Sequence, residues 1–286
     1  MGDEARRKFR GENPVSQSPV RIAVAGALGR MGKAVSATLE GRADATAVAR
    51  FDRPGAEGEG LMALESALAQ AQAIIDFTIP EASVALAETI AQAGGGIALV
   101  IGSTGFTAEQ DARLEKAAQK VTIVRSGNFS LGVNMLMGLV RQAAAALPAS
   151  DWDIEVFEAH HKRKIDAPSG TALMLGQAAA EGRGVVLSEV EDRARDGVTG
   201  PRKEGSIGFS VVRGGGIIGE HSVIFAGESE SLTIAHSAID RGLFARGAVA
   251  AAVWGARQGA GDLRHAAGAG VQGGLGPRHG EDAELR

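Results

Sequence analysis

The chain has 286 residues, a formal net charge of −4, 44% hydrophobic residues and 41 glycines. That length suits two domains, and the apolar content is that of a folded chain rather than a disordered one. The negative balance gives no case for nucleic-acid binding, and the absence of cysteine excludes disulfides, thiolate nucleophiles and cysteine-based metal sites.

The chain opens on "MGDEARRKFRGENPVSQSPV", which is polar and lacks the apolar core of a signal peptide. Arg6 stands where a myristoylation motif wants Ser or Thr. No apolar run reaches the roughly 18 residues of a membrane span. The expectation is a soluble, cytoplasmic protein without membrane or nucleic-acid partners, with a disordered arm over residues 1–19.

From Val20, apolar runs alternate with helical patterns. "VRIAVAGA" reads as a buried strand, "RMGKAVSATLEG" as a helix, "TAVARFD" as a strand and "LMALESALAQ" as a helix. "AIIDFT" is a strand, and "PEASVALAETIAQAGG" is a helix with Pro early and Gly at its end. "IALVIG", "TAEQDARLEKAAQK" and "VTIVRSG" complete a strand–helix–strand series. Such alternation predicts a Rossmann-type parallel sheet covered on both faces, over residues 20–130.

The pattern then changes. "GVNMLMGLVRQAAAALP" is a long apolar helix, "DWDIEVFEAH" a strand and "SGTALMLGQAAAEG" a helix. "IGFSVVR", a glycine turn at residues 214–216, "IIGEHSVIFAG" and "ESLTIAHSAI" read as an antiparallel meander. A second, α+β domain with an antiparallel or mixed sheet is therefore expected over residues 131–239, within an α/β chain. "RGLFARGAVAAAVWGA" is a helix over 240–256. Residues 257–286 are rich in Gly, Ala and charge, with little apolar periodicity, and are expected to be flexible.

"AVAGALGRMG" places Gly26, Gly29 and Gly32 between a strand and a helix. Glycines allow the tight turn and close backbone approach to a pyrophosphate, and the helix start adds positive potential. A glycine triplet alone also suits a plain βα turn. Asp52, at the end of the second strand, supplies a carboxylate for a ribose 2′-OH, while Arg53 beside it suits a 2′-phosphate. The pair leaves NADH and NADPH both open. Two further loops follow strands: Gly102, Ser103 and Thr104, then Ser126, Gly127, Asn128 and Phe129. Ligands of open α/β sheets bind at those strand ends.

"EAHHKRKIDAPSGTAL", residues 158–173, holds two of the chain's six histidines beside three consecutive cations. Ser169 or Asp166 would cap the following helix, whose free N–H groups and dipole, with a lysine of the Lys162–Lys164 run and a histidine, suit a carboxylate. A protonated imidazole there is a suitable general acid. The competing reading is a solvated basic loop with one histidine in the core. Adjacent histidines are poorly spaced for a shared metal ion, and none is expected.

This stretch resembles the signature of the 4-hydroxy-tetrahydrodipicolinate reductase family, long called dihydrodipicolinate reductases. The resemblance extends to "GALGRMG", "DFTIP", "VIGSTGF", "GNFSLGVN", "GEH" and "FARGAVAAAVW". It implies reduction of a cyclic dicarboxylate to tetrahydrodipicolinate with NADH or NADPH, in the diaminopimelate route to lysine, by a homotetramer. It implies His160 as proton donor, Lys164 as a second proton-donating group, and His161, Gly170 and Thr171 as substrate contacts. Gly26, Ala27, Leu28, Gly29, Arg30, Met31, Asp52, Arg53 and the loops at 102–104 and 126–129 would hold the cofactor. Leu28 departs from the small residue usual in that loop, and a Gly/Ala-rich tail replaces the family's compact ending. Another nicotinamide-dependent reductase of small carboxylates is a rival reading, which the Lys-x-Asp-x-Pro-Ser-Gly-Thr loop opposes. An NAD(P)H sensor without turnover is another, which the His160/Lys164 pair opposes.

Overall fold

A computed structural model describes residues 18–53, 55–56, 60–240 and 242–264, the last three by their backbone alone. The expected arm, up to residue 17, and the tail beyond residue 264 lie outside the described residues. In chain order the first elements are β1 (Val20–Ala25), α1 (Arg30–Leu39), β2 (Ala45–Phe51), α2 (Leu64–Gln70), β3 (Ala73–Asp76), α3 (Pro80–Gln92), β4 (Ala98–Ile101), α4 (Ala108–Ala118) and β5 (Thr122–Arg125). There follow α5 (Leu131–Ala146), β6 (Asp153–His160), α6 (Gly170–Arg183), α7 (Leu187–Val190) and β7 (Glu191–Asp192). The series ends with β8 (Ile207–Arg213), β9 (Glu220–Ala226), β10 (Ser231–Ser237), α8 (Leu243–Gly255) and β11 (Gly261–Arg264).

The first sheet has six parallel strands in the order β11-β5-β4-β3-β1-β2. Every residue of β3, β4 and β5 is buried, as a sheet covered on both faces requires. Alternate residues of β1 serve the two layers. Ala23 and Ala25 pack with Ala67, Val84, Ile90 and Leu114 of α2, α3 and α4. Ile22 and Val24 pack with Val35 of α1 and with Ala248, Val249 and Ala252 of α8. The chain therefore returns to its first domain after building the second. Local signals fix the helix starts. Pro80 occupies the first turn of α3, where its missing N–H costs nothing. Thr107 and Gln110 close a capping box on α4.

The second sheet is mixed, in the order β10-β9-β6-β8-β7. One face is covered by α5 and α6 through Leu136, Val140, Leu175 and Ala179, packed on Ile154, Val156, Val223 and Phe225. The expected meander is corrected here. β9 and β10 form an antiparallel pair, but β8 and β9 are not paired. β6 lies between them, parallel to β8 and antiparallel to β9. The glycine segment after Arg213 is no hairpin turn; it crosses over the end of β6, where Gly214 N–H donates to the His160 carbonyl at 2.9 Å. The tail also differs from expectation at its start. β11 pairs with β5, and the Thr122 hydroxyl donates to the Gly259 carbonyl at 2.7 Å. Edge pairing through backbone groups needs no apolar periodicity, so the sequence pattern carries no sign of it.

Candidate active site

The glycine loop joins β1 to α1. Gly26 adopts a left-handed φ of 64°, and its carbonyl accepts from Gly29 N–H at 3.0 Å. A side-chain carbon on Gly32 would lie 2.2 Å from the Gly26 carbonyl oxygen, so only glycine lets α1 close on the loop. Asp52 clamps the same turn: one carboxylate oxygen accepts from Leu28 N–H at 2.9 Å, the other from Arg53 N–H at 2.9 Å. A cavity of about 600 Å³ beside it is lined by Gly26, Asp52, Arg53, Asp76, Thr78 and Met62, among others. This glycine cradle, with a carboxylate at the end of β2, fits the nucleoside end of a dinucleotide.

The other two loops expected to meet the cofactor follow β4 and β5, beyond β3 in the sheet. A side chain at Gly102 would strike the Phe77 ring at 2.1 Å, so the backbone there must be bare. Ser103 and Ser83 hydroxyls are 2.7 Å apart. The Asn128 amide oxygen accepts from Ser130 N–H at 2.8 Å, and its amide nitrogen donates to the Thr171 hydroxyl at 3.0 Å. That last bond ties the nucleotide domain to the start of α6.

The second cluster stands on β6 and α6. Ser169 caps α6, its hydroxyl accepting from Ala172 N–H at 3.2 Å, while Asp166 instead pairs with Lys164 at 2.9 Å. Of the three consecutive cations only Lys164 is drawn in; Lys162 and Arg163 are exposed. His161 is half-buried at the strand's end, and Gly170 opens the helix with free space beside it. His160 is the last residue of β6 and is 9% exposed. Its Nδ1 lies 2.6 Å from the Glu158 carboxylate. Its Nε2 faces Gly219, where an added side chain would approach to 3.2 Å. The site therefore brings His160, His161, Lys164, Gly170 and Thr171 onto one strand end and one helix start.

Three residues without a role in the sequence reading complete it, and a fourth, Asp76, stands in the glycine-loop cluster. Glu158 is 0% exposed and accepts from His160, Ser169 N–H and both terminal nitrogens of Arg213. Burial acts most strongly on its carboxyl and would raise its pKa. The Arg213 and His160 hydrogen bonds and the Ser169 N–H prevail, and hold it below the usual range. His221 sits edge-on to His160, ring centres 5.1 Å apart, with Nε2 3.2 Å from the Ser169 hydroxyl. Burial, then the neighbouring His160, push its pKa down to about 4, so it is neutral near pH 7. Asp76, also 0% exposed, accepts from Thr78 N–H and hydroxyl through one oxygen. One signal for Glu158 was legible: it falls on the inward face of β6 with Ile154, Val156 and His160, where an unpaired carboxylate is costly. The Arg213 contact, 55 residues away, had none.

Comparison with known proteins follows the same division. The family model described as "Dihydrodipicolinate reductase, N-terminus" matches residues 20–129, and "Dihydrodipicolinate reductase, C-terminus" matches residues 132–266. A protein of Caulobacter vibrioides named 4-hydroxy-tetrahydrodipicolinate reductase is 79% identical over 236 residues, covering 82% of this chain and 91% of its own. A protein of the same name from Rhizobium rhizogenes is 51% identical, covering 84% of this chain and 93% of its own. A solved structure described as "Dipicolinate bound Dihydrodipicolinate reductase from Paenisporosarcina sp. TG-14" is similar at 25% identity and TM-score 0.70. It covers 86% of this chain and 97% of that one.

Proposed function

The chain belongs to the dihydrodipicolinate reductase family, and from that premise we propose how its two clusters divide the reaction. The protein is an NAD(P)H-dependent reductase of 4-hydroxy-tetrahydrodipicolinate in lysine biosynthesis. Loss of water from the 4-hydroxy compound gives dihydrodipicolinate, a conjugated imine; bound NADH or NADPH would supply a hydride to its C4, with electron density moving to C3. The roles assigned to single residues are our reading.

His160 delivers a proton to C3 from Nε2, the nitrogen that Glu158 leaves free. Lys164 is the second proton-donating group and, with His161, holds a substrate carboxylate. The N–H groups of Gly170 and Thr171 at the start of α6 hold the anion through the helix's positive end. These groups stabilise the negative charge that develops as hydride arrives. Gly26, Ala27, Leu28, Gly29, Arg30 and Met31 hold the pyrophosphate, while Asp52 and Arg53 meet the ribose. Gly102, Ser103, Thr104, Ser126, Gly127, Asn128 and Phe129 serve the nicotinamide end. One observation carries the reading. The Asn128–Thr171 bond sets the substrate helix against the strand ends of the nucleotide domain, so hydride and proton sources converge.

The assembly is a homotetramer built on the uncovered face of the second sheet. A reaction that draws on the cell's nicotinamide pool supports a cytoplasmic location.

Mixing NADH with freshly generated substrate should consume its absorbance, and dipicolinate should compete with substrate. Lys164→Ala should weaken that inhibition about tenfold to a hundredfold, the worth of a charge-assisted hydrogen bond. Unchanged inhibition in the variant would remove Lys164 from the carboxylate site.

A further inference from the structure

Arg213 ends β8 at the register position opposite His160, just before the chain crosses over β6. Its two terminal nitrogens each donate to Glu158 at 2.7 Å, a forked pairing with a carboxylate that is 0% exposed. One of them also donates to the Asp166 carbonyl at 2.6 Å. The Asp166 carboxylate is bound to Lys164. A single guanidinium therefore reaches His160 through Glu158 and Lys164 through the Asp166 backbone.

We propose that Glu158 and Arg213 are positioning residues for the reduction, fixing which nitrogen of His160 reacts and holding the Lys164 loop beside it. The proposal deepens the assignment of His160 as proton donor and rests on it. With Arg213 and Ser169 N–H donating to it, Glu158 is an acceptor, so the proton at 2.6 Å belongs to His160 Nδ1. Nε2 is then the only nitrogen that can give a proton to the substrate carbon. After transfer His160 is neutral, keeps its proton on Nδ1 and is reprotonated at the same Nε2. Without the carboxylate the ring has two tautomers and no fixed orientation. A buried fork matters because a lone carboxylate at this depth would be driven to protonate, and would then no longer select the tautomer.

The charged and titratable groups around the imidazole are Glu158 on its own strand, Arg213 on β8, the neutral His221 on β9 and Lys164 with Asp166 on the loop. His236 on β10 and Glu220 stand behind His221. Removing Glu158 deletes the carboxylate in contact with His160 and leaves the cations.

The test compares Glu158→Gln, Arg213→Gln, Arg213→Lys and His160→Gln by kcat, KM, NADH affinity and melting temperature. Glu158→Gln and Arg213→Gln should lose about tenfold to a hundredfold in kcat, the reach of an outer hydrogen-bond partner. NADH affinity should stay within about threefold in both, and so should KM in Glu158→Gln, whereas Arg213→Gln, which also releases the Lys164 loop, should raise KM. Arg213→Lys should fall between Arg213→Gln and the parent. Parental kcat in both Gln variants, beside an impaired His160→Gln, would overturn the positioning role alone. So would a loss of kcat matched by equal losses of NADH affinity and melting temperature, which marks a structural role. Full activity in His160→Gln would overturn the proton-donor assignment beneath it.

Discussion

Asp52 clamps the glycine turn and, in the proposed reading, also meets the cofactor ribose. Its oxygens already accept from Leu28 and Arg53 N–H groups, and each retains a lone pair for a ribose hydroxyl. Arg53 next to it suits a 2′-phosphate, so both cofactors should serve. A kcat/KM ratio beyond about a thousandfold, roughly 4 kcal/mol, would contradict dual use. Asp52→Ala should weaken NADH more than NADPH. His221 gives a second expectation at this scale. Its pKa in the folded chain is about 4, against the ordinary 6.5. Between those values the unfolded chain binds a proton that the folded chain refuses. Stability is therefore full above about pH 6.5 and falls as pH drops toward 4, by about 3 kcal/mol. Glu158, held low, adds its own loss at still lower pH. Urea midpoints between pH 7.5 and pH 5 measure this, and a flat profile would contradict it. The histidine pair and Lys164 were legible as an unusual local density of titratable charge. Lys162 and Arg163 looked equal to Lys164, because exposure is not written in a basic run. Glu158's partner was not legible, since Arg213 reaches it only across the β6–β8 pairing.

The helices and strands of the first domain were legible nearly throughout, because buried parallel strands and amphipathic helices differ in period and in their Pro and Gly punctuation. The order of strands in the second sheet was not. Three glycines between apolar runs read as a hairpin turn, yet glycine equally suits a segment crossing a strand end close to another backbone. Nothing local distinguishes these; the choice is made by β6, some 50 residues earlier, which takes the central place. The return of α8 to the first sheet depends on small residues. A side chain on Gly247 would lie 1.6 Å from the Phe129 carbonyl oxygen, the backbone of a proposed cofactor loop. Gly247→Ala should therefore push α8 off the sheet and cost about 1–3 kcal/mol, as overpacking does. Gly259→Ala meets nothing within 4 Å and should melt like the parent. Equal melting temperatures for both variants would show that α8 has room to shift.

For the whole molecule, the open question is what covers the second sheet. Its face away from α5 and α6 carries Phe157, Val212, Ile224 and Thr233 on neighbouring strands. One covered face rarely suffices for a sheet with apolar residues on both, so this face should pair between subunits. Light scattering at micromolar concentration should give a tetramer; a monomer would refute the assembly. The two domains meet where the Asn128 amide reaches Thr171, and there the proposed cofactor crevice would face the proposed acid, His160. Turnover of His160→Gln tests it most directly. The account expects kcat to fall by about 10²–10⁴, the range of general acid catalysis, with NADH affinity unchanged. Parental turnover in that variant would contradict it and leave the basic loop a solvated surface.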